Sequence, residues 1–257
     1  MIKSEKIKNK EKELLDVLVE GPDNPRATII FVHGFATDKH ETASYFDDLS
    51  AAFSGEFRIV RFDFSGCGKS EGKLEKKDYQ KWGEDLQAVI DYVNRIYKEN
   101  TYILAQSMGC FVTSLLAPKG IEKTAFTGIP NSNPEYIIES LFKRFASRPG
   151  GKLDLGGISI FPRSSGAIQK IGPSFWKVLK GFKPAEAVKD FSAKTNLLIV
   201  HPKQDEVVGD KYLEEYSTIE NVKVIWIDGD HSFKKPEERE ALIKEIKKFF
   251  ATWSVQR

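Results

Sequence analysis

The sequence predicts an α/β fold with a mainly parallel twisted sheet flanked by helices. Short apolar runs alternate with amphipathic helical patterns, which is the order expected of βαβ units joined by right-handed crossovers. The run ATIIFV (27–32) lacks polar alternation, as expected of a strand buried on both faces. The 257 residues, with a hydrophobic content of 40%, are enough for one large domain with a sizeable core.

We predict six strands of this sheet, preceded by one or two N-terminal edge strands. LLDVLVE (14–20) is the predicted edge strand. The six sheet strands are predicted at 27–32, 57–62, 102–104, 123–127, 196–200 and 222–227. Amphipathic helices are predicted at 42–53, 77–97, from the turn after 107 to 116, and at 237–253. The last of these is expected to bury one apolar face, which comprises Leu242, Ile246, Phe249, Phe250 and Trp253.

The alternation breaks between residues 130 and 194, where a single short connection is expected. A loop of this length is far too long for an ordinary βα connection. We predict an inserted lid over the carboxyl edge of the sheet, and a core formed by residues 1–129 and 195–257. Within the lid we predict a helix at 136–146, a hairpin at 152–161 around Gly156-Gly157, and helices at 173–179 and 184–191.

The composition excludes several classes of function. Charged residues make up 30% of the chain with both signs interspersed, and the net charge of +2 gives no reason to expect a nucleic-acid partner. With only two cysteines, Cys67 and Cys110, no disulfide framework is predicted.

The N-terminus lacks an apolar signal region and no run of eighteen apolar residues occurs, so we expect a cytoplasmic protein without membrane insertion. The oligomeric state is left open, with a homodimer as the alternative to a monomer.

The turn AQSMG, which contains Ser107, follows the strand TYILA and precedes an apolar helix. It differs from G-x-S-x-G by Ala105 at the first glycine position. In that motif a serine lies on a strained corner between strand and helix, so that its hydroxyl projects above the sheet. Small residues at 105 and 109 are needed because strand and helix nearly touch. The helix that follows would direct free N–H groups at negative charge beside Ser107.

Polar residues also follow the other predicted strands. His33 follows 27–32, Asp205 follows 196–200, and His231 follows 222–227. Because ligands bind beyond the carboxyl ends of parallel strands, these side chains are candidates for one site with Ser107. By contrast, GCGKS (66–70) does not predict a nucleotide-binding loop, because Asp63 stands where that motif requires glycine.

The motifs HGF, FDFSGCGKS, AQSMG, HPKQDEVV and GDHSF resemble those of the α/β-hydrolase fold, and they span nearly the whole chain. Within that superfamily the chain is most similar to small carboxylesterases of the cinnamoyl/feruloyl esterase and monoacylglycerol-lipase kinds. The resemblance implies Ser107 as nucleophile, His231 as base and Asp205 as orienting acid. Glu206, Asp228 and Asp230 are alternatives for the acid. The backbone N–H groups of Phe35 and Met108 would form the oxyanion hole.

The resemblance implies hydrolysis of small-molecule carboxylic esters of small to medium acyl groups, including hydroxycinnamoyl esters, without a cofactor or metal. The alternatives are a thioesterase, an acyltransferase or another reaction with the same triad, and a non-catalytic binding protein on the same scaffold. Phe161, Phe175 and Trp176 are candidates for an acyl or aromatic pocket, with the lid's own core as the alternative. His33 is expected to support its loop, His40 and His201 to have no catalytic role, and Cys110 to be packed.

Overall fold

The computed structural model describes residues 2–163, 166–209 and 211–251. Within them the strands are, in chain order, β1 (Ile2–Lys8), β2 (Leu14–Glu20), β3 (Thr28–Val32), β4 (Arg58–Phe62), β5 (Thr101–Gln106), β6 (Ile121–Thr127), β7 (Ser159–Pro162), β8 (Ile168–Ile171), β9 (Asn196–Pro202) and β10 (Val222–Ile227). The described α-helices are α1 (Tyr45–Phe53), α2 (Tyr79–Ile96), α3 (Met108–Leu116), α4 (Pro134–Leu141), α5 (Pro173–Gly181), α6 (Pro184–Ser192), α7 (Glu214–Ser217) and α8 (Pro236–Ala251). Among the described helices, none combines the length and apolar character that crossing a membrane requires.

The main sheet has the strand order β1-β2-β4-β3-β5-β6-β9-β10. Strand β2 pairs antiparallel with β1 and β4, and the remaining neighbours pair parallel. The predicted mainly parallel sheet with N-terminal edge strands is therefore confirmed. Strand β1 gave a weak sequence signal because its residues IKSEKIK are largely exposed at the sheet edge.

The two faces of the sheet bury separate apolar clusters. In β3, Ile29 and Phe31 pack with residues of α1 and α8, whereas Ile30 and Val32 pack with residues of α2 and α3. Successive strand residues point to opposite faces, so a continuous apolar run is what burial on both faces requires. These layers fix the carboxyl ends of the parallel strands along one edge.

Helix ends differ from the predicted bounds for local reasons. Helix α1 begins at Tyr45 because Ala43 and Ser44 both have a φ of 55°, which interrupts the predicted helix 42–53. Helix α2 begins after Asp78, whose carboxylate accepts the N–H groups of Gln80 and Lys81. The predicted final helix contained Trp253, which lies outside the described residues.

Residues 130–194, hereafter the insertion, connect β6 to β9. Helix α4 widens into a π-helical turn at Phe142–Ala146, where a continuous α-helix was predicted. The predicted hairpin around Gly156-Gly157 is present as a single antiparallel bridge between Lys152 and Ile160, whose backbone groups exchange hydrogen bonds of 2.9 and 2.8 Å. The longer pairing of β7 is with β8. The Ser159 hydroxyl bonds to the backbone N–H and C=O of Asp154 at 2.9 and 3.1 Å and closes a local loop there. Helices α5 and α6 lie where two short helices were predicted, and α6 packs on α3.

Candidate active site

Ser107 lies at the corner between β5 and α3, with φ 52° and ψ −122°. This backbone conformation is costly for a residue with a side chain and is held by the packing of strand and helix around it. A Cβ atom on Gly109 would lie 2.4 Å from the carbonyl oxygen of Val32, so only glycine lets α3 approach the sheet this closely. Ala105 occurs in the strand and is fully buried. The turn therefore has the strained geometry that the motif predicted.

His231 follows β10, and its Nδ1 atom lies 2.7 Å from Oδ2 of Asp205, which follows β9. The Asp205 side chain is only 2% exposed. Its other oxygen, Oδ1, accepts the backbone N–H groups of Val207 and Val208, both at 2.9 Å. Two backbone donors thus fix the orientation of the carboxylate through Oδ1, while Oδ2 contacts the imidazole.

The three alternative acids make different contacts. Asp228 has a side chain that is 76% exposed and pairs with Lys203 at 3.3 Å. Asp230 pairs with Lys234 at 2.9 Å. Glu206 accepts the backbone N–H of His231 at 3.4 Å. Among the described carboxylates, Asp205 is the one that forms a hydrogen bond with the imidazole ring.

Ser107 and His231 line one cavity beyond the carboxyl edge of the sheet, together with Phe35 and Met108. In the part of the chain that the structure describes, no hydrogen bond joins the Ser107 hydroxyl to the imidazole. Serine and histidine are therefore placed in the same cavity wall without the direct link that proton transfer requires. Geometry of this kind is common in unliganded sites and tightens when substrate binds.

Phe35 and Met108, whose backbone N–H groups are the predicted donors of an oxyanion hole, both line the cavity. Met108 is the first residue of α3, where the N–H has no partner within the helix and lies at the positive end of the helix dipole. Phe35 follows His33 and Gly34 at the end of β3, and it lines the cavity. An oxygen that acquires negative charge near Ser107 would thus have donors from two separate elements.

A chain of hydrogen bonds holds the His231 loop against the elbow, and sequence reasoning missed it. The Gln106 Nε2 atom donates to the backbone carbonyl oxygen of His231 at 2.8 Å. The amide oxygen of Gln106 accepts from the Thr127 hydroxyl, which in turn accepts from the Tyr45 hydroxyl at 3.0 Å. Gln106 is therefore a positioning residue. Its partner lies 125 positions away, and no local pattern signals such a contact.

Comparisons with known proteins concern the sequence and the fold of the chain. A family model described as Serine aminopeptidase, S33, matches residues 23–150. A curated relative, the biotin biosynthesis bifunctional protein BioHC of Teredinibacter turnerae, is 26% identical over 130 residues. That match covers 49% of this chain and 21% of the relative, so the chain spans about a fifth of the length of that protein.

Solved structures share the fold over almost the whole chain. Est1E from Butyrivibrio proteoclasticus with bound ferulic acid has a TM-score of 0.76 and 22% identity, over 96% of this chain and 97% of that one. The esterase domain of a Rhodothermus marinus protein has a TM-score of 0.72 and 19% identity, over 97% of each chain. The Pyrococcus furiosus esterase PF2001 has a TM-score of 0.73 and 17% identity, over 98% of this chain and 91% of that one. The chain has the α/β-hydrolase fold.

The insertion forms part of the cavity wall in this α/β-hydrolase-fold protein. Phe175 lines it and packs on the rings of Tyr79 and Phe35, with centroids 5.1 and 5.4 Å apart. Phe161 and Trp176 lie behind this wall, where Phe161 stacks on Phe145 at 5.5 Å and contacts Trp176 at 5.9 Å. Of the three aromatic residues considered for the pocket, Phe175 is the one that faces the cavity, and the other two belong to the core of the insertion.

His33 supports the loop that carries Phe35. Its Nε2 atom accepts the Phe64 backbone N–H at 2.9 Å, so Nδ1 carries the proton and donates to the Gly34 carbonyl oxygen at 2.8 Å. Complete burial lowers the pKa of His33, which keeps the ring neutral. Both ring nitrogens of His33 thus form hydrogen bonds with backbone groups.

The remaining candidates form no described side-chain hydrogen bond with Ser107, and Cys110 contacts it through its backbone N–H, which donates to the Ser107 carbonyl oxygen at 2.9 Å. His40 pairs with Asp47 at 2.8 Å outside the cavity, and His201 is buried in β9. Burial raises the pKa of the Cys67 and Cys110 thiols, so neither is poised as a nucleophile. Among the described residues, no group of three His, Cys, Asp or Glu side chains is arranged to bind a metal ion.

Proposed function

We propose that this chain is a serine hydrolase that cleaves carboxylic esters through an acyl-enzyme intermediate. The observation that carries the proposal is the 2.7 Å contact between His231 and Asp205 beside a serine held at φ 52° in the same cavity. A serine hydroxyl is a weak nucleophile until a base takes its proton, and imidazole needs an anionic partner to hold its tautomer and to offset the imidazolium charge.

The proposed reaction has two halves. Ser107 Oγ attacks the acyl carbon while His231 Nε2 takes the hydroxyl proton, and the carbonyl electron pair moves onto oxygen. The N–H groups of Phe35 and Met108 bind that oxygen. When the carbonyl re-forms, the alcohol leaves with the proton from His231. Water then attacks the acyl-enzyme by the same route, which releases the acid and restores the serine.

We further propose substrates with small to medium acyl groups, including hydroxycinnamoyl esters, with the insertion acting as a lid. An apolar wall that contains Phe175, Phe35 and Tyr79 supports the preference for an aromatic or aliphatic acyl chain. The similar fold of Est1E, which binds ferulic acid, points to the same class.

The proposal is tested by p-nitrophenyl butyrate hydrolysis and by labelling with a fluorophosphonate probe. We expect the wild type to turn over the ester and to take up one probe at Ser107. Ser107→Ala should take up none and should lose on the order of 10⁶ in turnover. Ser114→Ala, a buried serine of the same helix, is the matched control and should retain both activities. Equal hydrolysis by Ser107→Ala and wild type, or an inert and unlabelled wild type, would contradict the proposal.

A further inference from the structure

Three arginine side chains of the insertion surround the ring of Phe145. The guanidinium carbons of Arg144, Arg148 and Arg163 lie 5.6, 5.5 and 4.7 Å from its centroid. Arg144 belongs to the π-helical turn, and Arg163 follows β7. Because all three charges lie within 5.6 Å of one point, they are close to one another.

Two of these arginines face the candidate active site. Arg144 and Arg163 line the same cavity as Ser107, whereas Arg148 donates to the carbonyl oxygen of Pro162 at 3.0 Å. The Phe145 ring that carries the cluster is 6.5 Å from the ring of Phe35. The positive charge therefore lies in the wall of the cavity that Ser107 also lines.

The cluster has no ion-pair partner in the part of the chain that the structure describes. Among the described residues no carboxylate forms an ion pair with Arg144, Arg148 or Arg163. Burial lowers the pKa of Arg163, the charges of Arg144 and Arg148 lower it further, and the charge of Glu41 opposes them with the smallest effect of these. Like charges held together at a cavity wall repel one another, and an anion bound between them would relieve that repulsion.

The two acids of the cavity wall are engaged elsewhere. Glu41 accepts the backbone N–H of Gly34 and the hydroxyl of Thr37, so it is fixed to the loop after β3. Glu206 accepts the backbone N–H of His231 and lies 4.0 Å from Lys234. Among the described ion pairs, neither acid is paired with Arg144 or Arg163.

We propose that Arg144 and Arg163 form a subsite for an anionic group, a carboxylate or a phosphate, carried by the substrate. This proposal rests on the proposed ester hydrolysis and names its substrate class: esters whose acyl part ends in an anion, such as half-esters of dicarboxylic acids. Guanidinium groups bind both kinds of oxyanion through paired, charge-assisted N–H donors. The apolar wall would hold the chain between ester and anion.

The test compares p-nitrophenyl esters of equal acyl length that end in a methyl, a carboxylate or a phosphonate group. We expect wild-type kcat/KM to be at least about tenfold higher for one of the charged esters than for the neutral ester. The preferred anion distinguishes carboxylate from phosphate recognition. Arg144→Gln and Arg163→Gln should each reduce the ratio of charged to neutral kcat/KM by about 10- to 100-fold. Lys143→Gln is the matched control, because Lys143 is 70% exposed on the same turn and pairs with Glu139; its ratio should equal that of the wild type.

The outcomes separate the two proposals. Hydrolysis of all three esters with equal kcat/KM would overturn the anion subsite while leaving the esterase proposal intact, and so would glutamine variants that keep the wild-type ratio. A wild type that hydrolyses none of them would refute the esterase proposal. In that case the binding of glutarate or inorganic phosphate would be measured by calorimetry. Binding to the wild type that is weaker in both glutamine variants would still support the subsite, and an absence of binding to the wild type would overturn it.

A second measurement covers variants that fail to fold by circular dichroism. Free glutarate or inorganic phosphate should competitively inhibit wild-type hydrolysis of the neutral ester. The same anions should inhibit the Arg163→Lys variant more weakly, because lysine lacks the paired donors of a guanidinium group. Equal inhibition of both proteins, or none in the wild type, would overturn the subsite.

Discussion

Asp205 and His231 are joined by one oxygen of a carboxylate whose other oxygen is already bound. Oδ2 lies 2.7 Å from Nδ1 of His231, while Oδ1 accepts the N–H groups of Val207 and Val208. Since a carboxylate can only accept, Nδ1 carries the proton and Nε2 is left as the acceptor. The backbone turn after β9 thereby determines the tautomer of a ring that follows β10.

Asp205→Asn should reverse that tautomer. The amide oxygen would stay with Val207 and Val208, and the NH₂ group would face Nδ1, which must then accept. Nε2 would carry the proton and could no longer take one from Ser107. We expect turnover of a p-nitrophenyl ester at pH 7 to fall by about 10⁴ with little change in KM. Asp228→Asn, an exposed acid nearby, should behave as wild type. A loss below tenfold in Asp205→Asn would exclude this role.

Substitutions at the two small residues of the elbow should differ in their effects on stability and activity. Gly109→Ala places a Cβ atom 2.4 Å from the Val32 carbonyl oxygen and 2.8 Å from that of His33. We expect it to displace α3 and to lower both esterase activity and the thermal midpoint strongly. Ala105→Gly removes one buried methyl group and should cost about 1 kcal/mol while activity remains. Chemical denaturation and ester hydrolysis measure both effects, and an active, stable Gly109→Ala protein would contradict the close approach.

Much of the fold and part of the candidate site could be predicted because they depend on local patterns. Burial on both faces made ATIIFV recognisable as a central strand, and the sheet rule placed Ser107, Asp205 and His231 at one edge. Strain at the serine corner was predictable from small residues at 105 and 109. These features repeat in any parallel sheet with the same connections.

The features that could not be predicted depend on contacts between segments that are distant in the sequence. Such contacts produce no periodic pattern of apolar residues. The hydrogen bond from Gln106 to His231 joins residues 125 positions apart. Strand β8, with residues IQKI, is short and partly exposed, so its pairing with β7 had no strong pattern. The sequence could not predict which aromatic residues of the insertion line the cavity and which are buried in the core of the insertion. The answer depends on the orientation of β7 and α5 relative to the cavity. The arginine cluster is defined only by its convergence on Phe145.

The GCGKS turn should prove to be structural. The buried Asp63 carboxylate accepts the backbone N–H groups of Lys39 and Lys69, each at 2.7 Å, and the Lys39 ammonium at 2.8 Å. A Cβ atom on Gly68 would collide with this carboxylate, which is why the turn contains glycine there. Asp63→Ala leaves the backbone N–H groups of Lys39 and Lys69 without their acceptor and the Lys39 ammonium with Asp16 alone, so it should cost about 3 kcal/mol in urea denaturation. Lys69→Ala removes only an exposed side chain and should change stability by less than about 0.5 kcal/mol. An increase in the thermal midpoint on addition of ATP would contradict this interpretation.

His201 should make the protein sensitive to acid. Its ring is fully buried in β9 beside the rings of Trp226 and Tyr216, with centroids 4.6 and 6.4 Å away, and neither ring nitrogen has a hydrogen-bond partner among the described residues. Burial lowers its pKa from 6.5 to about 4. The unfolded chain therefore binds a proton at a higher pH than the folded chain does. This contribution to stability is intact above pH 6.5 and is lost as the pH falls toward 4, by about 3 kcal/mol in total.

His201→Phe should remove that part of the pH dependence. Phenylalanine fills a similar volume between the two rings and has no nitrogen to protonate. The variant should therefore gain about 3 kcal/mol relative to wild type between pH 7 and pH 4 in urea denaturation. Other acid-sensitive groups, including the buried His33, are common to both proteins and cancel in the difference. Stability curves that run parallel over this range would mean that the His201 ring is protonated equally in the folded and unfolded chains, which is incompatible with its burial in β9.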